Sequence, residues 1–170
     1  MALSLQQERT LFTKLHNTLT KKTRTQVRIL NYPKMPEDFT KTENQMRLGE
    51  HTDWGTVTFI AQDNMGGLQV KSRSGDWIDV TPKDGCIIVL IAELMQRWTS
   101  DKFQANPHRV VKLPCESESI KGGEKSRFSM IYFGNPDWDA VINSIDDSKY
   151  EPIKANDHLD ELWNESFGKY

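Results

Sequence analysis

Cysteine is scarce: the 170 residues hold two, Cys86 and Cys115, and no CxxC pair. That excludes a disulfide-scaffolded secreted domain and a thiolate metal cluster, and makes a reducing cytoplasm the expected compartment. Cys86 sits in an apolar run and reads as a small core hydrophobe. Neither sign of charge prevails, with 22 Lys and Arg against 24 Asp and Glu, a net charge of −2. A general polyanion binder is excluded, and no basic run marks a nucleic-acid or anionic membrane surface. Long apolar runs are also missing. The longest, Cys86–Ala92, has seven residues, whereas a helix crossing a bilayer needs about 20. The opening MALSLQQERT has neither a basic n-region nor an apolar h-region, so no secretory leader is expected. Internal repeats and low-complexity stretches are absent too.

What remains is an ordinary globular composition, 36% hydrophobic and 27% charged, at a length that suits one domain over residues 1–170. Leu11, Phe12, Leu15 and Leu19 fall at helical spacing and predict an amphipathic helix within an N-terminal segment 1–25. From Gln26 the pattern turns to short β-type runs: Val27–Tyr32, Thr56–Ala61, Leu68–Lys71, Trp77–Val80, Cys86–Ile91, Arg109–Leu113 and Phe128–Phe133. Pro33 and Pro36 force a turn after the first run. Asn64–Gly67, Ser74-Gly75-Asp76, Pro82–Gly85 and Gly122-Gly123 supply turn chemistry between the others. An all-β core with flanking helices, a sandwich or jelly roll over residues 26–142, is the expected fold. The C-terminal segment 143–170 is expected to be partly helical, over Asp157–Phe167.

Four histidines are present, and two of them open a His-x-Asp triplet: His51-Thr52-Asp53 and His158-Leu159-Asp160. With 13 aspartates in the chain, about 0.3 such triplets arise by accident, so the motif alone is weak. Periodicity separates the two. Residues i and i+2 share a face in a strand, so His51 and Asp53 can offer a nitrogen and an oxygen to one ion. His158 and Asp160 lie in a helical pattern, where i and i+2 diverge, and read as solvated surface. His108, in the strand-like Asn106–Val110, is the candidate third ligand. His16, beside Lys14 and Asn17, reads as a solvated helix histidine. Two histidines and a carboxylate with open positions opposite suit non-haem Fe(II), and a zinc hydrolase uses the same donor types.

Nineteen residues after His108 comes Arg127-Phe128-Ser129, whose first and third members share a strand face. A guanidinium fork with an adjacent hydroxyl is a carboxylate anchor. An edge-strand arginine paired with a glutamate is the plainer alternative. The five tryptophans are scattered and read mostly as packing, although Trp54, next to Asp53, is placed to line a pocket mouth.

From Arg28 to about Val141 the chain resembles the isopenicillin N synthase-like family of Fe(II)/2-oxoglutarate-dependent dioxygenases. The matching runs are GEHTDWG (Gly49–Gly55), QDNMGGLQV (Gln62–Val70), DWIDVTPKDGCIIV (Asp76–Val89), LMQRWTSDKF (Leu94–Phe103), PHRVV (Pro107–Val111) and RFSMIYFGNPD (Arg127–Asp137). The resemblance implies a double-stranded β-helix of the cupin-like jelly-roll kind, with Fe(II) held by His51, Asp53 and His108. It further implies 2-oxoglutarate as co-substrate, its distal carboxylate held by Arg127 and Ser129 with Tyr32 assisting. O₂ is then the oxidant and ascorbate an accessory reductant. A small organic molecule is hydroxylated or otherwise oxidised, with succinate and CO₂ as co-products. Two alternatives stay open: an oxidase of the same fold that does not use 2-oxoglutarate, and a non-catalytic metal- or partner-binding module left by truncation. The sequence departs from the family pattern at Leu30, Leu90 and Ala92-Glu93, which touches the surroundings of the co-substrate. Family members carry a long N-terminal region, and only about 26 residues precede VRILNY here. An uncovered apolar sheet face and self-association through it are therefore expected.

Overall fold

The computed structural model describes residues 1–34, 45–111, 126–146 and 149–168. The Pro36 turn, the Lys112-Leu113 end of the sixth β-run, Cys115 and the Gly122-Gly123 turn lie outside them.

Ten strands and two α-helices are formed by the described residues. In chain order the strands are β1 (Gln26–Tyr32), β2 (Leu48–His51), β3 (Val57–Gln62), β4 (Leu68–Lys71), β5 (Trp77–Asp79), β6 (Ile88–Ile91), β7 (His108–Val110), β8 (Arg127–Gly134), β9 (Val141–Ile142) and β10 (Ile153–Lys154). Helix α1 spans Glu93–Trp98 and α2 spans Ala155–Phe167. One four-stranded sheet has the order β1-β8-β3-β6 and a second β2-β7-β4-β5, every pairing antiparallel. Apart from the consecutive pair β4 and β5, neighbours within each sheet are not consecutive in sequence, which is how a jelly roll weaves its two sheets together.

Alternation along the strands decides which side chains face inward. On β8, Arg127, Ser129 and Ile131 are buried while Phe128 and Met130 are exposed. On β3, Thr58 and Ile60 are buried while Phe59 is exposed. Ile60, Leu68, Leu90, Val110 and Ile131 pack between the sheets as one apolar cluster. A second cluster lies at the end of the sandwich. There Leu94, Met95 and Trp98 of α1 meet Ile142, Ala155 and the N-terminal residues Ala2 and Phe12. Phe12 stands edge-on to Trp98 at 4.9 Å between ring centroids.

The N-terminal helix expected over residues 1–25 does not form. Two short 3₁₀ turns, Leu3–Leu5 and Thr13–Leu15, stand in its place. Gln6 closes the first in the left-handed region, at φ 55°. Beyond the second, the Leu15 carbonyl accepts from Asp137 N–H, and the Asp137 carboxylate accepts from Asn17 N–H and Asn17 Nδ2. Long-range hydrogen bonds thus take the groups a helix would have used. Leu11, Phe12 and Leu15 do pack on the α1 cluster, but Leu19 is 99% exposed. Cys86 is exposed, not core, because β6 starts only at Ile88. No helix of the described residues is long and apolar enough to cross a membrane.

Candidate metal centre and its cavity

His51 is the last residue of β2 and His108 the first of β7, and the two are directly opposite in the antiparallel register. Their ring centroids are 4.2 Å apart. Asp53 lies two residues beyond His51, in the bend that leads to β3, and is buried. His51 Nε2 is 3.8 Å from Asp53 Oδ1 and His108 Nε2 is 3.9 Å from Asp53 Oδ2. One ligand atom from each residue falls within 4.8 Å of the others.

Both imidazoles are locked in the same way. His51 Nδ1 lies 2.9 Å from the Gly49 carbonyl and His108 Nδ1 lies 3.0 Å from the Asn106 carbonyl. A carbonyl only accepts, so the proton sits on Nδ1 and the Nε2 lone pair points to the common centre. Burial is the main force pushing His108 below the ordinary imidazole range, which keeps it neutral as a metal requires. Asp53 is oriented in turn by Thr58, whose hydroxyl donates to Oδ2 at 2.5 Å. The bend is pinned to the start of α1: Glu93 N–H donates to the Asp53 carbonyl at 2.9 Å, and Thr52 donates to the Glu93 carboxylate. Gly55 fits here because a Cβ would meet the Gly134 carbonyl at 2.4 Å. Two imidazoles with Nε2 turned inward and a carboxylate, on one side of an open space, form a donor set that suits a ferrous ion.

Arg127 is 7% exposed, and every hydrogen bond it makes to the described residues is to a neutral group. Nε donates to the Gly66 carbonyl at 2.7 Å, Nη2 to Gln62 Oε1 at 2.9 Å and Nη1 to Ser129 Oγ at 3.2 Å. No carboxylate of the described residues hydrogen-bonds to it, although the Asp63 carboxylate, which accepts from the neighbouring Phe128 N–H, is near enough to favour its charge. Gly66 presents its carbonyl from a turn at φ 73°, a conformation open to glycine. Burial is the main cause that lowers the guanidinium pKa, and it also raises the Tyr32 phenol, whose ring lies 5.2 Å from the Arg127 carbon. A cation desolvated among neutral hydrogen-bond partners, with Asp63 acting on it only through space, is suited to receive an anion directly. Tyr32 and Leu30 on β1 are directly opposite Arg127 and Ser129 on β8, so all these groups meet at one end of the sheet.

The triad and the Arg127 group line one cavity of about 1150 Å³. That is room for more than one small ligand, since single-ligand pockets run to about 1,000 Å³. Trp54 lines it as expected, 6.3 Å from Trp163 and 6.2 Å from Phe167 of α2.

The other two histidines are not the solvated residues expected. His16 is held between the Phe12 carbonyl and Thr56 Oγ1, and burial lowers its pKa. His158 is buried, with Nε2 unpartnered and a pKa lowered to about 4, chiefly by desolvation. Neither belongs to the metal cluster. Thr58 and Gln62 escaped the sequence reading. They share the inward face of β3, so the same alternation that pairs Arg127 with Ser129 on β8 marks them. Asp53, expected on a strand with His51, lies in the bend after β2.

Comparison with known proteins agrees with this geometry. Residues 24–136 match the family model of the 2OG-Fe(II) oxygenase superfamily. The 2-oxoglutarate-dependent dioxygenase htyE of Aspergillus rugulosus is 36% identical over 154 residues, covering 86% of this chain and 44% of that protein. The 2-oxoglutarate-Fe(II) type oxidoreductase hxnY of Emericella nidulans is 33% identical, covering 99% and 47%. Among solved structures, a full-length Neurospora crassa protein in complex with alpha-KG and thymine superposes with a TM-score of 0.83. It is 31% identical, with 98% of this chain and 50% of that one covered. The chain spans about half the length of the curated relatives it matches. The superfamily is the level at which the match is made; the narrower isopenicillin N synthase-like branch is not distinguished.

Proposed function

The chain belongs to the 2OG-Fe(II) oxygenase superfamily, and from that premise we propose that it carries the chemistry of an Fe(II)- and 2-oxoglutarate-dependent dioxygenase acting on a small organic substrate. In this reading His51, Asp53 and His108 hold the ferrous ion, and Arg127, Ser129 and Tyr32 hold the distal carboxylate of 2-oxoglutarate. With both bound, the site supplies an oxidation in which R–H, 2-oxoglutarate and O₂ become R–OH, succinate and CO₂. The chain's own part is placement. Nδ1–H bonds to backbone carbonyls aim both imidazoles, and Thr58 occupies one carboxylate oxygen of Asp53 so that the other is presented. Gly66 and Gln62 hold the Arg127 plane fixed, which leaves an N–H on each of Nη1 and Nη2 for a carboxylate. A small organic substrate is in keeping with the thymine bound by the Neurospora crassa protein.

One observation carries the reading: a buried guanidinium whose hydrogen bonds to the described residues all go to neutral groups shares a cavity with the two histidines and the aspartate. The test is anaerobic titration with Fe(II) and then 2-oxoglutarate, followed by the weak metal-to-ligand charge-transfer absorption, and afterwards stoichiometric succinate on admitting O₂. Absence of the band with 2-oxoglutarate favours the oxidase alternative; a band without O₂ consumption favours the non-catalytic one.

Self-association belongs to the same proposal. Val27 and Ile29 of β1, Phe59 of β3, Val89 of β6, and Phe128 and Met130 of β8 are exposed on the outer face of one sheet. A second copy of this chain would cover that face. We also assign the protein to the cytoplasm, where the exposed Cys86 thiol and a ferrous ion both stay reduced.

A further inference from the structure

Helix α2 is used differently along its length. Ala155, His158 and Leu159 are buried at its start, while Trp163 and Phe167, one turn apart, stay about half exposed at 54% and 52%. These two rings border the cavity rather than the core. Leu159, Asp160, Trp163, Ser166 and Phe167 recur at helical spacing and line the cavity that holds the metal triad. Trp163 and Phe167 lie 4.7 Å apart, and both stand edge-on or inclined to Trp54, the residue that follows Asp53. The Trp54 backbone is held in place: its carbonyl accepts from Leu94 N–H at 3.3 Å, and buried His158 of α2 lies near it. A corner of three aromatic rings is thus held beside the metal ligands with its surface unspent on packing.

Elsewhere in the cavity lining is a second unspent group. Arg28 of β1 extends over the Phe133 ring at 5.3 Å, and its Nε donates to Gln26 Oε1 at 3.3 Å. No carboxylate of the described residues pairs with it, in contrast to Arg24, which is paired with Asp160 at the same rim. Flat aromatic walls favour a flat ligand, because stacked and edge-on contacts need a planar π-face. A guanidinium without an acid beside it favours an anionic or carbonyl oxygen.

Resting on the dioxygenase reading, we propose that the Trp54–Trp163–Phe167 corner and Arg28 are the specificity elements of the substrate site. They select a planar, unsaturated ring that carries a carboxylate or carbonyl oxygen. Helix α2 sets ring planarity through Trp163 and Phe167, and Arg28 on β1 sets the polar end.

The test uses the anaerobic protein loaded with Fe(II) and saturating 2-oxoglutarate, titrated calorimetrically with benzoate and with cyclohexanecarboxylate. These probes share charge and size and differ in ring planarity. Benzoate binds about tenfold tighter to the unaltered chain. Trp163→Leu and Phe167→Leu bring the two affinities to within about twofold, while Arg28→Gln weakens both about tenfold and keeps their ratio. Equal affinities in the unaltered chain, no benzoate binding at all, or a ratio that survives Trp163→Leu with Phe167→Leu overturns the proposal. The 2-oxoglutarate affinity measured on each sample separates the two levels. If it is intact, only the specificity assignment has failed; if it is absent from the unaltered chain, the dioxygenase reading has failed beneath it.

Discussion

Replacing Arg127 by Met keeps an unbranched chain in the pocket and removes the charge and all five N–H donors. In the structure Nε and one N–H from each terminal nitrogen are engaged by Gly66, Gln62 and Ser129. One N–H on Nη1 and one on Nη2 are left, spaced as a carboxylate requires. Two hydrogen bonds between charged groups at about 1.5–3 kcal/mol each give roughly 3–6 kcal/mol of lost 2-oxoglutarate binding. At 1.4 kcal/mol per decade, an intermediate cost of about 4 kcal/mol weakens the co-substrate nearly a thousandfold. Arg127→Lys keeps the charge but not the paired geometry, and should fall between, at about 10–100-fold. The assay is anaerobic titration of the Fe(II)-loaded protein with 2-oxoglutarate, read by its charge-transfer absorption. Fe(II) affinity is measured beside it and should not change, because the triad is carried by β2, β7 and the bend after β2. A loss of less than about tenfold for Arg127→Met would refute the assignment of this guanidinium as the anchor.

Three further outcomes follow from the same geometry. Thr58→Val removes the hydroxyl that orients Asp53 and should weaken Fe(II) about 10–100-fold while thermal stability changes little; equal Fe(II) affinity counts against that role. His158 is neutral in the fold down to about pH 4, whereas its unfolded-state pKa is near 6.5. Between those values the unfolded chain binds the extra proton, so stability falls on acidification by up to about 3 kcal/mol, and denaturant midpoints of His158→Leu should lack that slope. Ile29→Lys with Met130→Lys, on paired positions of the exposed sheet face, should shift sedimentation of the chain from self-associated to monomeric. A monomer before substitution contradicts the dimerising role of this face.

The site was more legible than the termini because strand alternation is local and exact in its period. Arg127 and Ser129 share a face of β8 at i and i+2, and the same rule reaches Thr58 and Gln62 on β3. His51 ends β2 and Asp53 joins it from the bend beyond, close in sequence but not by alternation. Helical spacing carried less. Leu11, Phe12 and Leu15 mark a buried face, yet the Asn17–Asp137 bonds and Gln6 at φ 55° decide the backbone, and neither is visible from spacing. Helix α1 is only six residues long, too short for a periodic signal, although it supplies Leu94, Met95 and Trp98 to the core. The burial of His16 goes with a contact to Thr56, and His158 is buried near Trp54 and within electrostatic reach of Arg97, all far away in sequence. The aromatic corner joins Trp54 to Trp163 across more than a hundred residues, so it emerges only once α2 is folded against the cavity.

Everything above depends on His51, Asp53 and His108 converging on one ferrous ion. Anomalous diffraction at the iron edge, on crystals grown anaerobically with Fe(II), reads that convergence without an intermediary. A single strong peak is expected about 2.1 Å from His51 Nε2, His108 Nε2 and one Asp53 oxygen. A peak bonded through either Nδ1, or an iron site that leaves any of the three residues out, would contradict it.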